Sequence, residues 1–241
     1  IGTAVNAKEI QVWKDVDGIL TTDPRMVKCA RPVRNISFEE ASELAYFGAK
    51  VLHPRSILPA MKNNVPVRVK NSYNPEHPGS LILSRLEDDN ELVRVITFKK
   101  NVTVVDIVST RMLGQHGFLA KVFQIFADEQ VSVDMLATSE VSISMTLDHK
   151  SQSIEGLKNE LEKIANVNFK TGKTMVTMIG NVKRSSEILE KTFDVLNHHG
   201  INVQMISQGA SKVNISFIID DDQAELCIKE LHRIFFEDSI N

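Results

Sequence analysis

Apolar and polar residues alternate without a break over Val141–Asp148, which predicts a β-strand with one buried face. Apolar residues recur at intervals of three and four over Phe118–Phe126 and Ile188–Leu196, which predicts two amphipathic helices. These helices belong to a repeat. A shift of 70 positions superposes its apolar residues in order: Leu119 on Leu189, Phe123 on Phe193, Val133 on Val203 and Met135 on Met205. The chain therefore contains two copies of one supersecondary unit.

Each copy reads as strand, helix, strand, strand, helix. We predict two βαββαβ domains, over residues 94–172 and 173–241, each an antiparallel sheet with two helices on one face. The first copy ends in a predicted strand over Val167–Lys170. The second copy ends without such a strand, so its last strand is either absent or borrowed, and the sequence leaves both alternatives open.

Residues 1–84 have a different pattern, in which strands alternate with helices. Glu9–Trp13 and Val67–Val69 are predicted strands. Ser37, with Glu40 three residues later, forms a capping box that predicts the start of a helix, and a second helix is expected near Pro54. This alternation is typical of part of a layered α/β domain. The polar segment 85–91 is the expected connection to the repeats.

Composition narrows the function. The 241 residues are 42% hydrophobic and 24% charged, an ordinary globular mixture. A formal net charge of −3 argues against a protein that coats nucleic acid or an anionic membrane, and no apolar run has the roughly 20 residues of a transmembrane helix. The distant Cys29 and Cys227 argue against a disulfide scaffold or a zinc ribbon and favour a reducing compartment. Since residue 1 is Ile and no leader follows, we expect an internal piece of a longer protein.

The loop after the first strand carries three aspartates, Asp15, Asp17 and Asp23. Their spacing does not match a calcium-binding EF-hand loop. Two readings stay open: a turn that favours Asp and Gly, or a loop that holds a nucleotide or its Mg²⁺ together with Arg25, at the strand end where α/β sheets bind ligands.

A second candidate site lies in the first repeat. Gly114 and Gly117 precede a helix whose free N–H groups are suited to a carboxylate, and Asp134 on the next strand is suited to an ammonium group. Together they would bind a free amino acid, although a simple glycine turn beside a surface aspartate explains the pattern equally well. The second repeat has 184–187 and Gln204 at these places, so it should bind an amine less well.

The chain resembles the aspartate kinases, most closely the plant-type, single-activity enzymes. The resemblance covers nearly the whole chain and depends on specific segments: 12–25, 38–54, 66–72, 138–144 and 204–211. It implies an α/β fold in which the C-terminal part of an amino-acid-kinase layered domain (1–84) precedes two ferredoxin-like α+β ACT domains. It also implies an enzyme that makes 4-phospho-L-aspartate from Mg²⁺-bound ATP and L-aspartate, in the biosynthesis of lysine, threonine and methionine.

The resemblance also implies roles for individual residues, but assigns no catalytic residue or metal ligand to this chain. The implied nucleotide contacts are Lys14, Asp15, Leu20, Arg25, Lys50 and Val51; Leu20 stands where many relatives have an aromatic residue. The implied contacts of inhibitory lysine are Met112, Gln115, Gly117, Phe118, Leu119, Val133, Asp134, Ser139 and Glu140. The resemblance also implies S-adenosylmethionine as a further inhibitor, a homodimer that forms through the first ACT domain, and a location in the plastid stroma.

Two motifs of the family are missing from these 241 residues, the Lys-Phe-Gly-Gly segment with the catalytic lysine and the Gly-Arg-Gly-Gly-Ser-Asp segment. We therefore expect no aspartate phosphorylation by residues 1–241 alone. The alternative is an amino-acid-sensing ACT module without catalysis, but such a module has no use for a nucleotide loop. Another amino-acid-family kinase would lack the tandem repeats.

Overall fold

Two β-sheets, each with helices packed against it, make up the protein. The computed structural model describes residues 1–46, 54–86, 91–109, 116–148, 154–208 and 213–238. The first sheet has four strands and the second has six. None of the helices in these ranges has the length and apolar character that crossing a bilayer requires.

The first sheet belongs to residues 10–83, in the strand order β1-β3-β4-β2. Its strands are β1 Ile10–Lys14, β2 Asn35–Ser37, β3 Val67–Asn71 and β4 Ser80–Leu83, and its helices are α1 Phe38–Tyr46 and α2 Pro54–Lys62. Strands β1 and β3 are parallel, as are β2 and β4, whereas β3 and β4 are antiparallel. The predicted strands and both helix starts are confirmed.

The predicted capping box opens α1. The backbone N–H of Ser37 donates to Glu40 Oε2 at 2.8 Å, and the Glu40 N–H donates to Ser37 Oγ at 3.1 Å. Each residue thus satisfies a backbone donor that the first turn of a helix would otherwise leave unpaired. The box fixes the entry of the chain into α1, whose Phe38 and Leu44 are buried against the first sheet.

The second sheet has the strand order β6-β7-β5-β8-β10-β9. Its strands are β5 Val93–Val108, β6 Val133–Thr138, β7 Ser142–Asp148, β8 Asn166–Gly180, β9 Met205–Ser207 and β10 Asn214–Asp220. The helices are α3 Phe118–Asp128, α4 Ile154–Glu162, α5 Ser185–His198 and α6 Ala224–His232. Helices α3 and α4 pack over the first repeat, and α5 and α6 pack over the second.

Two long strands, β5 and β8, are shared by both repeats. The later half of β5 pairs with β7 and with the start of β8, whereas Val93–Lys99 pairs with the later half of β8. Register shifts near Lys99 and Val102 mark the change from one repeat to the other. The last strand of the second repeat is therefore borrowed, and it comes from Val93–Lys99, the first half of β5.

The two parts of the chain also share buried surface. Val95 and Ile179 of the second sheet are buried in the same apolar cluster as α1 and the first sheet. On the face of the second sheet that the helices do not cover, Met135, Met175 and Met205 from both repeats pack together. Contacts of this kind hold the repeats and the first sheet in one fixed arrangement.

Candidate functional site

The loop that follows β1 lies at the carboxyl end of this strand, beside the carboxyl end of the parallel strand β3. The carbonyl oxygen of Lys14 accepts from both the N–H and the hydroxyl of Ser72, at 2.7 and 2.8 Å. Asn71 Nδ2 donates to Asp17 Oδ1 at 2.8 Å. The loop is thus fastened to the segment after β3, and the side chain of Asp15 is exposed above it.

A second attachment holds the far side of this loop. The N–H of Ile19 donates to Ser80 Oγ at 2.8 Å. Next to Ser80, Gly79 has a φ of +72°, and a Cβ there would lie 2.1 Å from the carbonyl oxygen of Val69. Only glycine fits this close approach without displacing the backbone.

Arg25 turns back onto a neighbour within the loop. Its Nη2 atom lies 2.6 Å from Asp23 Oδ2, and this hydrogen-bonded pair holds the pKa of Asp23 below its ordinary value. The Arg25 side chain is 88% exposed. Leu20 is half-buried in an isolated bridge with Pro32. The predicted nucleotide contacts that the structure describes therefore lie at the end of β1 and in the loop after it: Lys14, Asp15, Leu20 and Arg25. The predicted contacts Lys50 and Val51 lie outside the described residues.

The predicted amino-acid site begins at α3. Gly117 precedes the helix with a φ of +83°, and no side chain caps this end of α3. Phe118 is buried and Leu119 is partly exposed. Ser139 lies in the turn between β6 and β7, where its N–H donates to the carbonyl oxygen of Ser142 at 2.8 Å. The predicted contacts Met112 and Gln115 lie outside the described residues.

The strand register separates the other predicted contacts from this helix start. Val133 lies beside Leu147 at one end of β6, whereas Thr138, just before Ser139 and Glu140, lies beside Ile143 at the other end. Helix α3 spans 11 residues, about 16 Å, and it ends next to the start of β6. Gly117, Phe118, Ser139 and Glu140 therefore lie at one end of the repeat, and Val133 and Asp134 lie at the other. Within one chain the helix start and Asp134 therefore lie at opposite ends of the repeat, and the expected lysine site stays a prediction.

Asp134 already has a cationic neighbour. Lys99 Nζ lies 2.6 Å from Asp134 Oδ2, and the Tyr46 hydroxyl donates to Asp134 Oδ1 at 3.4 Å. The Asp134 side chain is only 7% exposed. Sequence reasoning missed both partners, because Lys99 and Tyr46, the latter on α1, both lie far from Asp134 in the sequence.

The second repeat differs at the equivalent place. Gln204 Nε2 donates to Asp220 Oδ1 at 3.1 Å, and Lys173 forms an ion pair with the same carboxylate. At the start of α5, Arg184 pairs with Glu187. Where the first repeat has Asp134, the second therefore presents an amide that is already hydrogen-bonded.

A polar cavity of about 700 Å³ lies between the first sheet and the second repeat. Its lining includes Arg31, Arg34, His77, Arg94 and Phe236. No residue that the sequence singled out as a nucleotide or lysine contact lines it. The residues that line the cavity come from four distant parts of the chain, so no local sequence motif predicts it.

Comparisons with known proteins agree with this architecture. Residues 1–71 match the model of the amino acid kinase family, and residues 105–153 and 176–235 match an ACT domain model. The chain is 56% identical to chloroplastic aspartokinase 1 of Arabidopsis thaliana, over 98% of the chain and 43% of that relative. Two crystal structures of Escherichia coli aspartokinase III are 37% identical and cover 98% of the chain and 54% of that protein. The TM-score is 0.87 for the complex with aspartate and ADP and 0.84 for the complex with lysine and aspartate.

The fold and these matches define a class: the chain carries part of an amino acid kinase domain joined to ACT domains. Within this class it is a homologue of the aspartokinases, to which it aligns over almost its whole length. The chain spans about half the length of the relatives it matches, or less.

Proposed function

We propose that this chain is the C-terminal part of an enzyme that phosphorylates L-aspartate with ATP. The match of residues 1–71 to the amino acid kinase family carries the proposal, supported by the aspartate and ADP bound to the related Escherichia coli enzyme. Phosphoryl transfer depends on positioning and on neutralising charge, which Mg²⁺ bound to ATP and basic side chains supply. On this chain Lys14 and Asp15 would contact the nucleoside, and Arg25 would leave Asp23 to contact a phosphate.

The test is ATP-dependent aspartyl hydroxamate formation by the full-length protein. Arg25→Gln should raise the KM for ATP by about tenfold, since one charge-assisted hydrogen bond to phosphate contributes roughly 1.5 kcal/mol. The fold should be unaffected because the Arg25 side chain is almost fully exposed. Lys28→Gln is the matched control, because Lys28 is an exposed cation three residues away. Equal KM values for all three proteins would remove Arg25 from the nucleotide site.

We further propose that lysine inhibits this enzyme by binding between the first repeats of two copies. In one chain the open start of α3 and Asp134 lie at opposite ends of the repeat. A two-fold axis beside the edge strand β6 would place Asp134 of one copy against the Gly117 end of the other. The helix start would then receive the carboxylate of lysine, and Asp134 would receive an ammonium group.

Three further expectations depend on the same resemblance. The homodimer would form through the first repeat, and S-adenosylmethionine would bind near lysine as a second inhibitor. The Arabidopsis relative is named chloroplastic, which supports the plastid stroma as the compartment. Co-purification of differently tagged copies, and inhibition assays with the two effectors together, would test the first two.

Mixed dimers test whether the lysine site spans two copies. Asp134→Ala removes one side of the site, and Gly117→Asp places a carboxylate at the helix start, with Gly117→Asn as its uncharged control. A dimer with one variant in each chain should bind one lysine, because one site keeps both of its sides. A dimer of a double variant with a wild-type chain should bind none. The opposite pair of stoichiometries would show that each chain holds a complete site.

A further inference from the structure

Cys29, His232 and Glu237 meet at the junction between the first sheet and the second repeat. Cys29 Sγ donates to Glu237 Oε1 at 3.1 Å, and His232 Nδ1 lies 2.7 Å from the same oxygen. The three candidate ligand atoms all lie within 4.8 Å of one another. Within the described ranges, this is the one group of three such side chains close enough to hold a single ion. Its members come from opposite ends of the chain, so the group exists only in the folded protein.

The backbone after α6 is shaped to bring His232 and Glu237 together. On an α-helix, residues five positions apart point about 140° away from each other. Residues Arg233–Glu237 form instead a turn of π-helix, in which residues five apart are separated by a smaller angle. Such turns are uncommon and occur frequently at functional sites. The wide turn is what gives both side chains access to Cys29.

His232 is also oriented from behind. Its ring is 1% exposed, and Nε2 lies 2.9 Å from Thr21 Oγ1. In the metal-free protein Nδ1–H donates to Glu237 Oε1, and Nε2 accepts from the Thr21 hydroxyl. An ion on Nδ1 requires the other tautomer, in which Nε2–H donates to Thr21 Oγ1 and the lone pair of Nδ1 faces Cys29 and Glu237. Histidines that bind metals are held in this way, with the second ring nitrogen donating to a fixed acceptor. The ring of Phe236 packs against His232 with centroids 4.8 Å apart and limits its rotation.

We propose that Cys29, His232 and Glu237 bind a divalent transition-metal ion of the zinc class. One thiolate, one imidazole and one carboxylate are the ligands that such ions prefer, and three protein ligands leave a fourth position for water. Tetrahedral zinc would separate the oxygen from the nitrogen and the sulfur by about 3.3–3.5 Å. The present 2.7 and 3.1 Å are hydrogen-bond distances, so an ion would enter by replacing the shared hydrogens with small shifts of exposed side chains.

In the metal-free protein the three side chains share two hydrogens, one from the thiol and one from the imidazole. The hydrogen bond from Cys29 to Glu237 raises the pKa of the thiol and lowers the pKa of the carboxyl group, so without metal the proton stays on sulfur. Metal binding would release the thiol proton to solvent and form the metal–sulfur bond in its place, while the Nδ1 proton of His232 is lost and Nε2 takes up one proton to donate to Thr21. The bound ion would cross-link the segment between β1 and β2 to the turn that follows α6, and so join the first sheet to the second repeat.

The experiment is titration of the full chain with Co²⁺, which reports a bound thiolate by its sulfur-to-cobalt charge-transfer band, and then with Zn²⁺ as competitor. We expect one ion per chain and an increase in Tm with Zn²⁺. Cys29→Ser and Glu237→Gln, both at exposed positions, should weaken binding by about 100-fold or more and abolish the Tm increase. Cys227→Ala, which leaves Cys29 as the single thiol of the sequence, should keep the cobalt band.

A pair of neighbouring threonines tests the orienting contact. Thr21→Val should weaken Zn²⁺ binding by about tenfold, because the ring of His232 loses its fixed acceptor. Thr22→Val is the matched control, since Thr22 is equally buried and its hydroxyl has no hydrogen-bond partner. Zn²⁺ binding of equal strength by the wild type, Cys29→Ser and Glu237→Gln would overturn the proposal, as would the absence of any binding by the wild type.

Discussion

Lys99 Nζ lies 2.6 Å from Asp134 Oδ2, so the carboxylate proposed to receive the ammonium group of an effector is already neutralised by the chain itself. The pair is largely shielded from water, since the Asp134 side chain is 7% exposed and that of Lys99 is 24% exposed. Tyr46, at the end of α1, contacts the second oxygen of Asp134. An incoming ammonium group must therefore compete with Lys99 at a carboxylate that also touches the first part of the chain.

Replacing Lys99 tests this competition. Lys99→Met keeps most of the side-chain volume and removes the charge, so we expect lysine to bind the variant about three- to tenfold more tightly, which corresponds to roughly 0.7–1.4 kcal/mol. Isothermal titration calorimetry on wild type and variant measures the difference. Lys100→Met is the control, because Lys100 is exposed. Weaker binding by Lys99→Met would mean that Lys99 helps to hold the effector instead of competing with it.

The buried ion pair between Arg94 and Glu40 should contribute strongly to stability. Arg94 Nη1 lies 3.3 Å from Glu40 Oε1, and both side chains are less than 5% exposed. Arg94→Met leaves the Glu40 carboxylate buried without this partner, so the free energy of unfolding should fall by about 3–5 kcal/mol in urea denaturation.

A double variant separates the lost pair from lost packing. Glu40→Gln removes the buried charge and keeps an oxygen for the N–H of Ser37. Arg94→Met combined with Glu40→Gln should therefore recover more than half of the loss. If the double variant is as unstable as the single one, packing of the Arg94 side chain, and not the uncompensated charge, explains the effect.

The ion pair of Glu9 with Arg68 gives a pH dependence of defined sign. The Arg68 side chain holds the pKa of Glu9 below its ordinary value of 4.5. The pair therefore stabilises the folded state fully above pH 4.5, and this contribution disappears as the pH falls through the lowered pKa of the folded state. Glu9→Gln should cost about 0.5–1 kcal/mol at pH 7 and progressively less as the pH falls below 4.5.

Chemical denaturation of wild type and Glu9→Gln across this pH range measures the difference. Glu39→Gln, at an exposed position on α1, is the control for removal of a surface carboxylate. A difference between wild type and Glu9→Gln that does not change with pH would contradict an electrostatic origin.

Gly79 and Gly172 form a matched pair of substitution sites, which tests how closely the backbone packs beside the loop that follows β1. Both have φ near +70°, but a Cβ at Gly79 would collide with the Val69 carbonyl oxygen, whereas a Cβ at Gly172 meets no atom within 4 Å. Gly172→Ala should cost about 1–2 kcal/mol for the left-handed backbone. Gly79→Ala should cost about 2 kcal/mol more, because the backbone must also move. Equal losses in thermal denaturation would show that the loop moves away without cost.

Much of the fold was predictable because local patterns decide it. The unbroken alternation over Val141–Asp148 produces β7, and the pair Ser37 and Glu40 produces the start of α1. The repeat predicted two similar units, and their helices occur in the expected order. These signals depend on residues within a few positions of one another, and a single sequence contains them in full.

The remaining features depend on residues far apart in the chain. Lys99 contacts Asp134 from the first half of the long strand β5. Tyr46 contacts Asp134 from α1, which packs on the first sheet. The separation of Gly117 from Asp134 follows from the strand register, which spacing along the sequence does not contain. The sequence gives no sign of a metal site at Cys29, because no second thiol lies near it in the chain. Its neighbours in space are an imidazole and a carboxylate.

The two repeats share the long strands β5 and β8, so they cannot be separated into two independent domains. Because Val93–Lys99 completes the sheet of the second repeat and the rest of β5 opens the first, cutting the chain between residues 172 and 173 would leave the second repeat without one of its strands. A change in the backbone geometry of β5 at either half is therefore transmitted to the other repeat, because one continuous strand belongs to both.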